Sequence, residues 1–168
     1  MRISAICFFL LIGSFVFSQK YIGITEYATP LDPSHTGAIL EVDNNNLTTI
    51  FDFYDNGSKV NETVTIGSKI YGFTQENGAD GAGTLFEYDT ITSTFIIKQH
   101  LEDASGSNNT IMRKLEVHNG LIYGIQSSLF GGYKISNYDP VTNQFSEVVN
   151  LSGTGINDIG DFVITNGK

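Results

Sequence analysis

Four short motifs return in the same order three times along this chain, and that repetition restricts its fold more than any single residue does. "YIGIT" at 21–25 is matched by "IYGFT" at 70–74 and "IYGIQ" at 122–126, with Gly23, Gly72 and Gly124 in register. "GAILEVD" at 37–43 is matched by "GTLFEYD" at 83–89 and, more loosely, by "YKISNYD" at 133–139. A third set is "LTTIFDF" at 47–53, "FIIKQHL" at 95–101 and "FSEVVNL" at 145–151. The fourth is "TVTIGSK" at 63–69, "KLEVHNG" at 114–120 and "DFVITNGK" at 161–168. The spacings lie between 46 and 52 residues.

The motifs are rich in Ile, Val, Thr, Phe and Tyr and are parted by Asn, Asp, Gly and Ser clusters, with no stripe of helical period. That pattern predicts an all-β chain. Four strands per period predict a β-propeller-type fold of four-stranded antiparallel blades, with repeats at 21–69, 70–121 and 122–168. A β-sandwich also has short, evenly spaced strands, but nothing in it demands four distinct motifs in fixed order. Closed propellers take about 4–8 blades. Three repeats therefore predict an incomplete ring, whose open edges invite self-association. Either two chains complete a six-bladed ring, or the repeats belong to a longer protein.

The turns agree with this reading. Asp43, Asp89 and Asp139 each end a second strand and precede "NNN", "TITST" or "PVTNQ". Aspartate carboxylates accept from nearby backbone amides, Pro140 presets φ, and Asn tolerates left-handed geometry, so hairpin turns are expected there. Asn119-Gly120 is a strong two-residue hairpin signal.

Ahead of the repeats, Arg2 precedes an apolar run from Ile6 to Phe17, with Val16 and Ser18 before Gln19. This is the layout of a secretory signal peptide over 1–18, removed to leave a domain at 19–168. The run is shorter than the roughly 20 apolar residues of a spanning helix, so an exported protein without a membrane anchor is expected. Cys7 is the sole cysteine and goes with the signal, which excludes disulfides, thiol catalysis and Cys-based zinc sites from the mature chain. The 18 acidic against 9 basic residues repel phosphate backbones, so nucleic acid is not an expected partner.

Candidate chemistry is sparse. Glu76, Asn77 and Asp80, in the glycine-rich loop between "IYGFT" and "GTLFEYD", are the one candidate binding group, with oxygens of the kind calcium takes. A phosphate cradle there would need a helix after the loop, and "TLFEYD" reads as a strand. His35, His100 and His118 fall at non-equivalent positions without ligand spacing, so no metal or cofactor is expected. Glu41, Glu87 and Asn137 occupy equivalent strand positions, which alternation alone explains. The recurring tyrosines and phenylalanines are expected in packing between blades. The "N-x-S/T" triplets at Asn46, Asn56, Asn61, Asn108 and Asn150 carry glycan only in a eukaryotic secretory pathway.

"YDPVTNQF" at 138–145 resembles the Kelch-type strand–turn–strand, with Phe145 where the Kelch tryptophan stands. "IYGFTQENGADGAGTLFEYD" at 70–89 more closely resembles the tandem GloVer-type repeats of secreted bacterial proteins. That resemblance runs through "YIGITEYATPLDPSHTGAILEVD" and "IYGIQSSLFGGYKISNYD" to cover 21–168. It implies a propeller-like, secreted or surface-associated protein and no particular reaction. The expectation is an exported, non-catalytic binding or surface-interaction module whose partner is an extracellular glycan or protein. The alternative is a propeller-type hydrolase or lyase acting on extracellular polysaccharide.

Overall fold

The computed structural model describes residues 20–25, 37–53, 57–79, 81, 83–101, 112–127, 132–156 and 159–165. The expected signal peptide at 1–18, His35 and Asp80 lie outside them. Among the described residues the repeat motifs fold into eleven strands and no helix. The first sheet holds β1 (Tyr21–Thr25), β2 (Ala38–Asp43) and β3 (Asn46–Asp52). The second holds β4 (Ser58–Ile66), β5 (Lys69–Glu76), β6 (Thr84–Asp89) and β7 (Thr94–His100). The third holds β8 (Met112–His118), β9 (Leu121–Ser127), β10 (Tyr133–Asp139) and β11 (Gln144–Asn150). Every sheet is an antiparallel meander in chain order, and the described residues close no ring.

The sheets are out of step with the sequence repeats. β4 and β8, expected to close a repeat, pair instead with the strands that follow them, through Ile66↔Lys69 and His118↔Leu121. The cause is the two-residue connection at Gly67-Ser68 and Asn119-Gly120. Asn119 and Gly120 have φ of 51° and 79°, the left-handed pair that joins adjacent strands of one hairpin. The remaining expected strand, "DFVITNGK", is a correction: residues 159–165 form no strand. β4 and β8 are held by the strand beyond their turn, and Asp161–Thr165 has no such ladder partner among the described residues.

The hairpins in the three sheets are copies down to their irregularities. Each carries a bulge at the same place, between Ile39 and Leu40, Leu85 and Phe86, and Ile135 and Ser136. Each is closed by an equivalent backbone bond: Phe53 N to Gly37 O at 3.1 Å, Leu101 N to Gly83 O at 3.0 Å, Leu151 N to Tyr133 O at 2.8 Å. The aspartates act as expected in two turns. Asp89 Oδ1 accepts from the amides of Ile91 (2.8 Å) and Thr92 (3.3 Å), and Asp139 Oδ1 from those of Val141 (2.8 Å) and Thr142 (3.4 Å). These amide bonds, led by Ile91 and by Val141, hold both carboxyls below the ordinary aspartate range. After Asp43 the turn is shorter, with Asn44 and Asn45 left-handed at φ 48° and 66°.

Period-two alternation gives the second sheet two apolar faces, and each builds a core. Ile70, Phe86 and Tyr88 pack with Ile39 and Phe53 of the first sheet and its partner strands, flanked by Phe51 and Phe95. Tyr71, Phe73, Leu85 and Leu101 pack from the opposite face against Met112, Ile122 and Tyr138 of the third sheet. The second sheet is therefore the middle layer.

The register glycines serve this packing. A Cβ on Gly72 would stand 2.4 Å from the Phe86 ring and 2.8 Å from Thr63 of β4. On Gly124 it would meet Met112 at 2.9 Å and Leu115 of β8 at 3.0 Å. On Gly23 it would meet nothing within 4 Å: among the described residues the first sheet has no counterpart of β4 and β8, and Leu40 stands where Phe86 crowds Gly72.

Candidate functional site

The bulges and closing bonds align the three sheets residue by residue, so the two intersheet cores can be compared position by position. Between the first and second sheets, Phe51 and Phe95 stack with centroids 3.6 Å apart. Phe53 meets Phe86 at 5.1 Å, and Phe86 meets Phe95 at 5.4 Å. One sheet further on, the ladder places Gln99 where Phe51 stands, Leu101 for Phe53, Ser136 for Phe86 and Phe145 for Phe95. Gln126, Lys134 and Glu147 likewise replace Thr74, Thr84 and Ile97. Three of the four rings are thus missing from the second core, and a cleft of about 310 Å³ opens there. Its lining among the described residues is Gln99, Leu101, Gln126, Lys134, Ser136, Phe145, Ser146 and Glu147.

Burial makes these polar groups specific. Ser136 and Gln126 are buried, and the Ser136 hydroxyl donates to Gln126 Oε1 at 2.6 Å. That bond fixes the Gln126 amide against the floor of the cleft. Leu101 and Phe145 supply an apolar wall, while Lys134 and Glu147 bring charges of both signs. A cleft with amides, hydroxyls and an apolar wall suits a small polyhydroxylated or otherwise polar molecule.

The second sheet also holds a buried carboxylate. Glu87 is 3% exposed and ion-pairs with Lys69 through Oε1 and with Lys98 through Oε2 at 3.5 Å. Burial pushes its carboxyl up, but hydrogen bonds from Lys69 and Tyr71 and the charge of Lys98 outweigh that and hold it below the ordinary range. Burial, then the Glu87 bond, raises Tyr71 far above an ordinary phenol. Burial and the Glu87 charge push Tyr138 up to about 12. The first sheet repeats the motif at its surface, where Lys20 Nζ lies 3.0 Å from Glu41. In the third sheet Leu121 and Asn137 take these positions. A carboxylate engaged on both oxygens and kept ionised ties β6 to β5 and β7 within the second sheet, and it is not poised as a general acid.

The residues expected to bind lie apart from the cleft. Glu76 ends β5 and is ion-paired with Lys59. Asn77 is left-handed at φ 62°, and its carbonyl accepts from Gly83 N at 2.8 Å. His100 Nδ1 accepts from Ala79 N at 3.0 Å, which ties the loop to β7. Among the described residues no group of three or more His, Cys, Asp or Glu could hold a metal ion. Sequence reading passed over the cleft because Gln99, Ser136 and Gln126 match no motif. The signal was there as the places where the third copy departs from the second, "YKISNYD" against "GTLFEYD" and "IYGIQ" against "IYGFT". No protein family matches the chain, and no curated protein matches it.

Proposed function

We propose that the chain is an exported, propeller-type repeat domain that binds a small polar extracellular ligand, of the saccharide class, in the cleft between its second and third sheets. One observation carries this reading: the cleft occupies repeat positions that phenylalanines fill in the preceding core, and polar side chains have taken their place. Replacing the half-buried Phe51 and the buried Phe86 with Gln99 and Ser136 sacrifices packing, which a chain retains where the opening is used. Saccharide hydroxyls meet Gln99, Ser136, Gln126 and Ser146, and a sugar's apolar face meets Leu101 and Phe145. Export follows from the Arg2, Ile6-to-Phe17 and Ser18 layout. Binding is favoured over polysaccharide hydrolysis because glycoside cleavage uses two carboxyl groups about 5–9.5 Å apart. Among the described lining residues, Glu147 is the single carboxylate.

The test is a glycan array probed with the wild type and with Ser136→Phe, alongside a polysaccharide turnover assay. Saturable binding that Ser136→Phe abolishes, without turnover, is expected. Turnover removed by the same substitution would replace the binding reading with an enzymatic one, and no glycan bound by the wild type would overturn the ligand class. N-terminal sequencing of the exported protein is expected to begin at Gln19.

A further inference from the structure

We propose that Asp161–Thr165 of one copy adds as the missing fourth strand along β1 of a second copy, and reciprocally, so that two chains form a strand-exchanged dimer. This does not depend on what the cleft binds. The second and third sheets each begin with a strand that precedes a two-residue turn and an "IYG" strand. Among the described residues the first sheet lacks it, so β1 is the edge of that sheet there. The sequence holds one further member of that strand family, "DFVITNGK", and the structure leaves its described part out of every ladder, with Val163 77% exposed. Among the described residues, an open strand edge and a segment of the matching sequence kind are thus present in the same chain.

The repeat also sets the register. Aligning Asn166-Gly167 in sequence with the Asn119-Gly120 turn makes Phe162 equivalent to Leu115 and Val163 to Glu116. Glu116 pairs with Tyr123, and Tyr123 corresponds to Ile22, so Val163 falls opposite Ile22 and Phe162 opposite Gly23. Leu115, with Met112, crowds Gly124, whereas a Cβ on Gly23 would meet nothing within 4 Å. An aromatic ring opposite a strand glycine covers backbone that would otherwise be wet.

The donor belongs to a second copy because the middle sheet stands between. Asp161–Thr165 follow the third sheet, β1 lies in the first, and both faces of the second sheet are taken by the two cores. The outward faces of the end sheets also continue the stacking pattern. Leu40 and Val42 stand at the positions of Phe86 and Tyr88, and Tyr123 and Ile135 at those of Tyr71 and Leu85. Docking the third sheet of one copy on the first of the other repeats the existing layer contact while the strand is exchanged.

The test uses the full chain with Cys7→Ser, which removes the sole cysteine. Chains carrying Ile22→Cys are mixed with chains carrying Val163→Cys and mildly oxidised; a disulfide-linked pair is expected. Ile24→Cys mixed with Val163→Cys, two residues out of register, should give little. Light scattering should return a two-chain mass for the parent and a one-chain mass for Val163→Pro, with the far-ultraviolet circular dichroism kept. A one-chain parent, a cross-link that forms only when both cysteines sit in one chain, or a mass other than two chains would overturn the proposal.

Discussion

The core between the first and second sheets and the core between the second and third share one backbone plan and differ in what fills it. In the first, Phe51, Phe53, Phe86 and Phe95 stack into a closed cluster. In the second, the corresponding Gln99, Leu101, Ser136 and Phe145 leave a cleft, and Glu87 with its lysines ties three strands of the second sheet together. The bulged hairpins tolerate both fillings because their ladders, not their side chains, set strand order. One core is therefore specialised for stability and the other holds an opening at little backbone cost.

The largest expected effect tests the closed core. Gly72→Val should cost about 3 kcal/mol, because the added carbons meet a Phe86 ring locked between Phe53 and Phe95. Gly124→Val should cost less, about 1–2 kcal/mol, since Met112 and Leu115 are flexible and Ser136 stands in the place of Phe86. Thermal melts followed by circular dichroism measure both, and equal losses would erase the distinction between the cores.

Glu87→Gln comes next, at about 1–3 kcal/mol, because it leaves Lys69 and Lys98 facing a neutral group. The native carboxyl is held below its ordinary value, so its contribution is complete above the unfolded pKa and is lost as pH falls through the folded one. Melting temperatures of wild type and Glu87→Gln should therefore differ at neutral pH and converge below about pH 4. A gap that persists in acid would mean that Glu87 acts through packing.

Ser136→Phe should change stability by only about 1 kcal/mol, since a buried ring is gained and the bond to Gln126 is lost. Its effect belongs on ligand binding, which should vanish. The smallest effect is Gly23→Val in the Val163→Pro background, within about 0.5 kcal/mol, because open space surrounds that glycine. A large loss there would show that the first sheet is more crowded than the described residues make it.

The strands were legible because their hydrophobic alternation and turn chemistry are local, as in Asp89, Asp139 and Asn119-Gly120. Which sheet a strand joins was not. The repeat is the same whether β4 closes one unit or opens the next, and only the geometry of the Gly67-Ser68 turn decides. Glu87 showed its position in the repeat but not its two lysines, which come from strands on either side of β6. The cleft was less visible still. Ser136 and Gln126 look like ordinary strand residues until the layer they face is known.

The offset between repeat and sheet has a consequence for how the chain opens. A repeat that coincided with a sheet could detach as a unit and leave its neighbours paired. Here the first and second sequence periods cross from one sheet into the next through β4 and β8, so releasing the far end of either one strips a strand from the adjoining ladder. Amide protons of β4 and β5 should then exchange with solvent together, as one opening event, although a repeat boundary runs between them.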